Sequence, residues 1–106
     1  MKYLVALTAV LACAVGPVRA QDAGDPKKGA ALARQVCAEC HAVERGQRQS
    51  SNAQAPAFEA IANTPGMTSI ALTTALRTSH RVMPNIELSN DELRDVVTYF
   101  LSFKQP

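Results

Sequence analysis

The chain has 106 residues, 47% of them hydrophobic, 5% aromatic and none tryptophan, with a formal net charge of +2. That length holds one domain at most, and a charge so close to zero gives no basic surface for a polyanion. Residues 1–20, MKYLVALTAVLACAVGPVRA, combine a charged Lys2, an apolar run over 4–15 and a small-residue exit at Val18-Arg19-Ala20. The pattern predicts a secretory signal peptide cleaved after Ala20. Its apolar run is shorter than the roughly 20 residues that span a bilayer. Cys13 follows Leu11-Ala12, a poor context for lipid attachment, and reads as an ordinary apolar residue of the leader. Cleavage removes Lys2 and Arg19 from the 11 basic residues and leaves nine against nine acidic ones. Nucleic acid is thereby excluded as a partner, and no stretch of 21–106 is long and apolar enough to cross a membrane.

The expected domain, 21–106, has a thin core, because much of its apolar content is alanine. Small domains of this kind usually need a staple. Residues 21–24 read as a loose start. Asp25-Pro26-Lys27-Lys28 then reads as a helix start, with Asp at the cap and Pro at the first helical position. Gly29, Leu32, Ala33, Val36 and Cys37 recur at helical spacing, so a helix is predicted over 26–37 with a face of mostly small residues. Residues 45–55 carry no apolar period and read as a solvated loop. Pro56-Ala57-Phe58 ends it, and 59–63 reads as one short helical piece with Ile61 inward. Thr64-Pro65-Gly66 is a turn. A helix follows over 69–79, with Ile70, Leu72 and Leu76 as its larger apolar residues, and 79–88 reads as a loop containing Pro84. Ser89-Asn90-Asp91-Glu92 has the form of a capping box. Leu93, Val96, Val97, Phe100 and Leu101 then fit the i, i+3, i+4, i+7, i+8 template, which predicts a helix over 90–104. No strand pattern of comparable quality is present.

The chemistry is carried by Cys37-Ala38-Glu39-Cys40-His41, a Cys-x-x-Cys-His motif. This is the attachment signature of c-type haem. Two thiols three positions apart reach the two vinyl groups of one porphyrin, and the adjacent imidazole falls under the ring where it binds iron. Three other readings compete. A thioredoxin-like pair needs a βαβ setting, and no strand precedes the motif. A zinc site needs four ligands; Cys37, Cys40, His41 and His80 supply four, without the paired spacing such sites show. A plain Cys37–Cys40 disulfide is the simplest alternative for a secreted chain. Haem is favoured because a large apolar body would also complete the thin core. The sixth iron ligand of an electron carrier would come from Met67, His80 or Met83. Met83 is favoured by its place before Pro84 in a loop between two helices. Met67 suits core filling, and His80 lies in a polar stretch.

The whole of 21–106 resembles the small, soluble class I cytochromes c of bacterial periplasms. The resemblance rests on Asp25-Pro26-Lys27-Lys28-Gly29, the motif at 37–41, Pro56-Ala57-Phe58, Met83-Pro84-Asn85-Ile86, and Glu92-Leu93-Arg94-Asp95-Val96-Val97-Thr98-Tyr99-Phe100. It implies an all-α fold of three to four helices around one haem c, attached through Cys37 and Cys40 and ligated by His41 and Met83. It also implies a close crossing of the first and last helices, with Gly29 meeting Tyr99. The Pro56 carbonyl is expected to accept the proton on the far nitrogen of His41. One departure is visible: many relatives carry an aromatic residue where this chain has Ala33, so Phe100 or Phe103 is expected to fill that space. The implied function is one-electron transfer by a non-enzymatic, monomeric periplasmic carrier that meets redox-partner proteins transiently. Two alternatives stay open, a fixed haem subunit of a larger dehydrogenase or oxidase complex, and an open-site haem peroxidase or sensor. The latter requires that Met83 not bind.

Overall fold

The computed structural model describes residues 23–106 and Gly16, so the leader, its cleavage point and Cys13 lie outside the described residues. The described residues form helices and no strand. They comprise α1 (Pro26–Leu32), α2 (Phe58–Ala62), α3 (Ser69–Arg77) and α4 (Asn90–Leu101). α1 starts where the sequence predicts it. The Asp25 side chain accepts from the Lys27 and Lys28 amides, and Pro26 occupies the first turn. The helical run does reach Cys37, but its last five residues, Ala33–Cys37, widen into a π-helix. The Ala38 amide donates to the Ala33 carbonyl at 3.0 Å, five residues back. With more residues per turn, three steps beyond Ala33 no longer return to the Ala33 face. Val36 is accordingly 37% exposed instead of facing the core, and the buried residues are Gly29, Ala30 and Ala33.

α1 and α4 pack closely, and the approach is made by glycine. A Cβ on Gly29 would overlap the Asp95 carbonyl and stand 2.9 Å from the Tyr99 Cβ. The lack of a side chain is what lets the backbones meet. Gly24 is tied down as well, contrary to the reading of 21–24 as loose. Its amide donates to the Thr98 hydroxyl at 2.8 Å, the Asp25 amide donates to the Asp95 carboxylate at 2.7 Å, and a Cβ on Gly24 would overlap the Arg94 and Asp95 backbone.

α2 begins one residue earlier than predicted. Phe58 and Ala62, one turn apart on the same face, are its deep residues, and Ile61 is only half-buried. The reason is aromatic: Phe58 stacks on Phe100 with ring centroids 3.6 Å apart. α3 stops at Arg77, because Thr78 is extended. It buries Leu72, with Leu76 half-buried one turn on, and this turns Ile70 outward to 77% exposure. α4 has the full capping box, with Glu92 Oε2 accepting the Ser89 amide at 2.8 Å and Ser89 Oγ accepting the Glu92 amide at 3.2 Å. It ends at Leu101. Residues 102–104 follow as tight turns, with Phe103 bonded to Phe100 and Lys104 to Leu101.

The core gathers Ala30, Ala33, Val43, Phe58, Ala62 and Leu72 with Leu93, Val96, Val97, Tyr99, Phe100 and Phe103 of the C-terminal helix and its extension. Ala33 is fully buried in this cluster, and Tyr99 meets Phe103 edge-on at 5.0 Å. Phe100 and Phe103 belong to the same buried cluster as Ala33. The exposed loop 45–55 is pinned at its start. Arg45 donates to the Ser102 carbonyl at 2.8 Å and lies over the Phe103 ring at 4.9 Å.

Candidate haem site

The π-turn delivers Cys37 to the point where the chain reverses. The Cys37 carbonyl accepts the amides of Cys40 at 3.1 Å and His41 at 2.9 Å, which folds the motif into one tight turn. Both thiols are free and half-buried, and burial pushes the Cys37 thiol above its ordinary pKa. His41 Nδ1 lies 2.6 Å from the Pro56 carbonyl oxygen. A carbonyl only accepts, so Nδ1 carries the proton and Nε2 keeps a free lone pair. The Phe58 amide donates to the Ala42 carbonyl at 2.9 Å, which fixes the Pro56 segment against the histidine segment. The Asn52 amide donates to the Cys40 carbonyl at 3.1 Å and closes the other side.

The segment after His41 is held from α4. Tyr99 Oη donates to the Val43 carbonyl at 2.6 Å, and burial raises the phenol above its ordinary pKa. Arg34, in the π-turn, forks onto both carboxylate oxygens of Glu44. That hydrogen bond draws the Glu44 carboxyl below the usual range. The Tyr99–Val43 bond was not legible in the sequence, because 56 positions separate its partners and nothing in the pattern of α4 marks a hydroxyl as structural.

Met83 is half-buried in a cleft of about 560 Å³ whose lining includes Leu76, His80, Pro84, Leu88 and Leu93. The thiols and His41 are not part of that lining. Met67 stands elsewhere. It packs half-buried against the core, its amide donates to Thr64, and its carbonyl accepts from the Lys104 ammonium at 2.8 Å. His80 is exposed yet shares the cleft with Met83.

The donor set fits a haem c. Two free thiols lie in one turn, an imidazole presents a free Nε2, and a thioether stands in a separate cleft. It does not fit a bare metal ion, for among the described residues no three His, Cys, Asp or Glu side chains come together to hold one. A helical domain with a Cys-x-x-Cys-His turn and an imidazole held by a proline carbonyl defines a small c-type cytochrome. The sequence comparisons agree. Residues 24–100 match the family described as "Cytochrome C oxidase, cbb3-type, subunit III", and the chain belongs to that family of cytochrome c domains. It is also 38% identical over 82 residues to cytochrome c-552 of Bradyrhizobium diazoefficiens, covering 77% of this chain and 78% of that one. No solved structure matches the chain significantly. Membership carries with it a covalently bound haem c and a role in electron transport.

Proposed function

We propose that this cytochrome is a His/Met-ligated one-electron carrier of the periplasm, exported by the leader 1–20 and working as the domain 21–106. Cys37 and Cys40 form the thioethers, His41 Nε2 is the proximal ligand, Met83 the distal one, and Pro56 orients the imidazole through its carbonyl. The 2.6 Å approach of His41 Nδ1 to the Pro56 carbonyl carries the reading. It fixes the tautomer, stops the ring from turning and makes Nε2 a better donor. When bound, the haem supplies the ferric–ferrous couple, and a thioether ligand favours the ferrous state and raises the potential. With both axial positions filled the iron offers no substrate site, so the protein is not an enzyme. Its donor and acceptor are redox proteins met in brief encounters.

The family description favours a second reading, a fixed haem subunit of an oxidase. Among the described residues no helix is long and apolar enough to cross a membrane, so such a subunit would be held by protein contacts through this domain. Ile70 and Val82, 77% and 73% exposed, would be the first places to find them covered.

Proton NMR of the ferrous holoprotein tests the ligand assignment, because a methionine methyl bound to haem iron is strongly displaced by the ring current. The signal should be present in wild type and in Met67→Ala, and absent in Met83→Ala. The ferrous wild type should resist carbon monoxide. Ready binding of carbon monoxide by wild type would replace the carrier with the open-site peroxidase or sensor.

A further inference from the structure

The loop that carries Met83 is held by no hydrogen bond among the described residues. Residues 79–88 lie between the extended Thr78 and the Ser89 cap. None of the hydrogen bonds among the described residues involves any of them: the bonds stop at Thr78 on one side and resume at Ser89 on the other. The proximal side differs sharply, since Cys40, His41, Ala42 and Val43 each make at least one such bond. Beyond its two ends the loop is tied to the core by the packing of half-buried Leu88, so the stretch that carries His80 and Met83 is held by no hydrogen bond among the described residues.

A loop so held can trade one ligand for another at little conformational cost, and the trade is decided by which donors it carries. It contains no lysine and no cysteine. His80 is three residues before Met83, lines the same cleft, and makes no hydrogen bond with another described residue that would hold its imidazole back. Glu87 lines the cleft too, but a carboxylate is a weak-field ligand and would leave the iron high-spin. We propose that His80 is an alternative axial ligand of this cytochrome, taking the distal position when the Met83 sulfur leaves it. The proposal rests on the Met83 assignment above. The exchange needs no electron or co-reactant: the iron–sulfur bond breaks, the neutral thioether swings away, and the neutral imidazole donates a nitrogen lone pair in its place. A soft thioether suits ferrous iron and the harder imidazole suits ferric. His80 therefore competes in the oxidised protein and yields in the reduced one. Loss of Met83, for example by peroxide, which gives one oxygen atom to the thioether to form the sulfoxide and departs as water, then leaves a closed low-potential haem instead of an open one that reacts further with peroxide.

Electron paramagnetic resonance of the ferric holoproteins tests this. Wild type should show the methionine signal in ferrous NMR; its absence would mean that the Met83 assignment itself has failed, a result distinct from failure of the His80 proposal. Ferric Met83→Ala should be low-spin with the signature of two imidazoles. Adding the second change, in Met83→Ala/His80→Ala, should convert it to high-spin iron that takes up added imidazole, with the haem still covalently attached. A high-spin Met83→Ala protein would overturn the proposal. So would a Met83→Ala protein whose low-spin signal survived the His80→Ala change, since another group would then be the ligand.

Discussion

At the residue scale the segment from the end of the Cys-x-x-Cys-His turn onward is a set of donors and acceptors fixed one by one. His41, Ala42 and Val43 are each fastened by a different part of the chain: Pro56, Ser50 and Tyr99. Tyr99 has the most exacting task, because its hydroxyl satisfies the carbonyl of a buried residue across the core. Tyr99→Phe keeps the ring and leaves that carbonyl without its donor, which should cost about 1–3 kcal/mol in denaturant unfolding of the holoprotein. The same variant should change the alkaline limb of the stability profile. Burial raises the Tyr99 pKa, so the unfolded chain releases the phenolic proton first. Its contribution is complete below the ordinary phenol value of about 10 and is lost as pH rises through the folded value. Between those two values stability should fall more steeply with pH in wild type than in Tyr99→Phe. The Glu44–Arg34 pair works in the opposite sense. Its depressed carboxyl stabilises the fold above the ordinary glutamate range and stops doing so as pH falls through the folded value. Both partners are exposed, so salt should screen the effect.

At the element scale the helices divide into those set by local signals and those set by contact. α4 is the first kind. Ser89→Ala removes the cap oxygen from the Glu92 amide and should lower stability by about 1 kcal/mol. Val97, 5% exposed on the buried face, should cost more when cut to alanine, about 1–3 kcal/mol for the lost methyls and the cavity. Equal and negligible shifts in melting temperature would contradict both the cap and the buried face. The α1–α4 crossing is the second kind. Alanine is the better helix former, so propensity alone says Gly29→Ala should stabilise α1. The overlap of the new Cβ with the α4 backbone says the reverse. Because the obstacle is backbone, it cannot swing aside, and the variant should melt well below wild type, the two helices having been forced apart. A Gly29→Ala protein as stable as wild type would place the crossing elsewhere. The π-turn belongs to neither kind. It is the price of bringing Cys37 to the chain reversal while keeping Gly29, Ala30 and Ala33 against the core.

At the scale of the whole molecule, the core joins Phe58 of α2 and three aromatics at the C-terminus to Leu72, Leu93, Val96, Val97 and several alanines. The Met83 loop, residues 79–88, makes no internal hydrogen bonds among the described residues. A haem joined to both thiols and ligated as proposed would connect the well-fastened segment at Cys40–Val43 to that loop. The chain without it should not manage the connection. Cys37→Ala/Cys40→Ala, which cannot hold a haem covalently, should show weak helical circular dichroism and no cooperative unfolding transition. A cooperative transition in that variant would mean that the protein core suffices.

The sequence by itself determined the all-helical class, the capping box of α4, the start of α1 and the Cys-x-x-Cys-His turn, because each is written in residues that lie within a few positions of one another. It also marked Gly29 and Pro56, but only through resemblance, since neither a glycine in a helix nor a proline after a loop announces its partner. Tertiary structure alone decided that Val36 and Ile70 face outward, that Phe58 and not Ile61 anchors α2, that Gly24 lies against α4, and that His80 shares a cleft with Met83. Each of these depends on which surfaces meet across the core. A periodic pattern gives a helix its apolar face, and the neighbours it happens to pack against settle which residues of that face are buried.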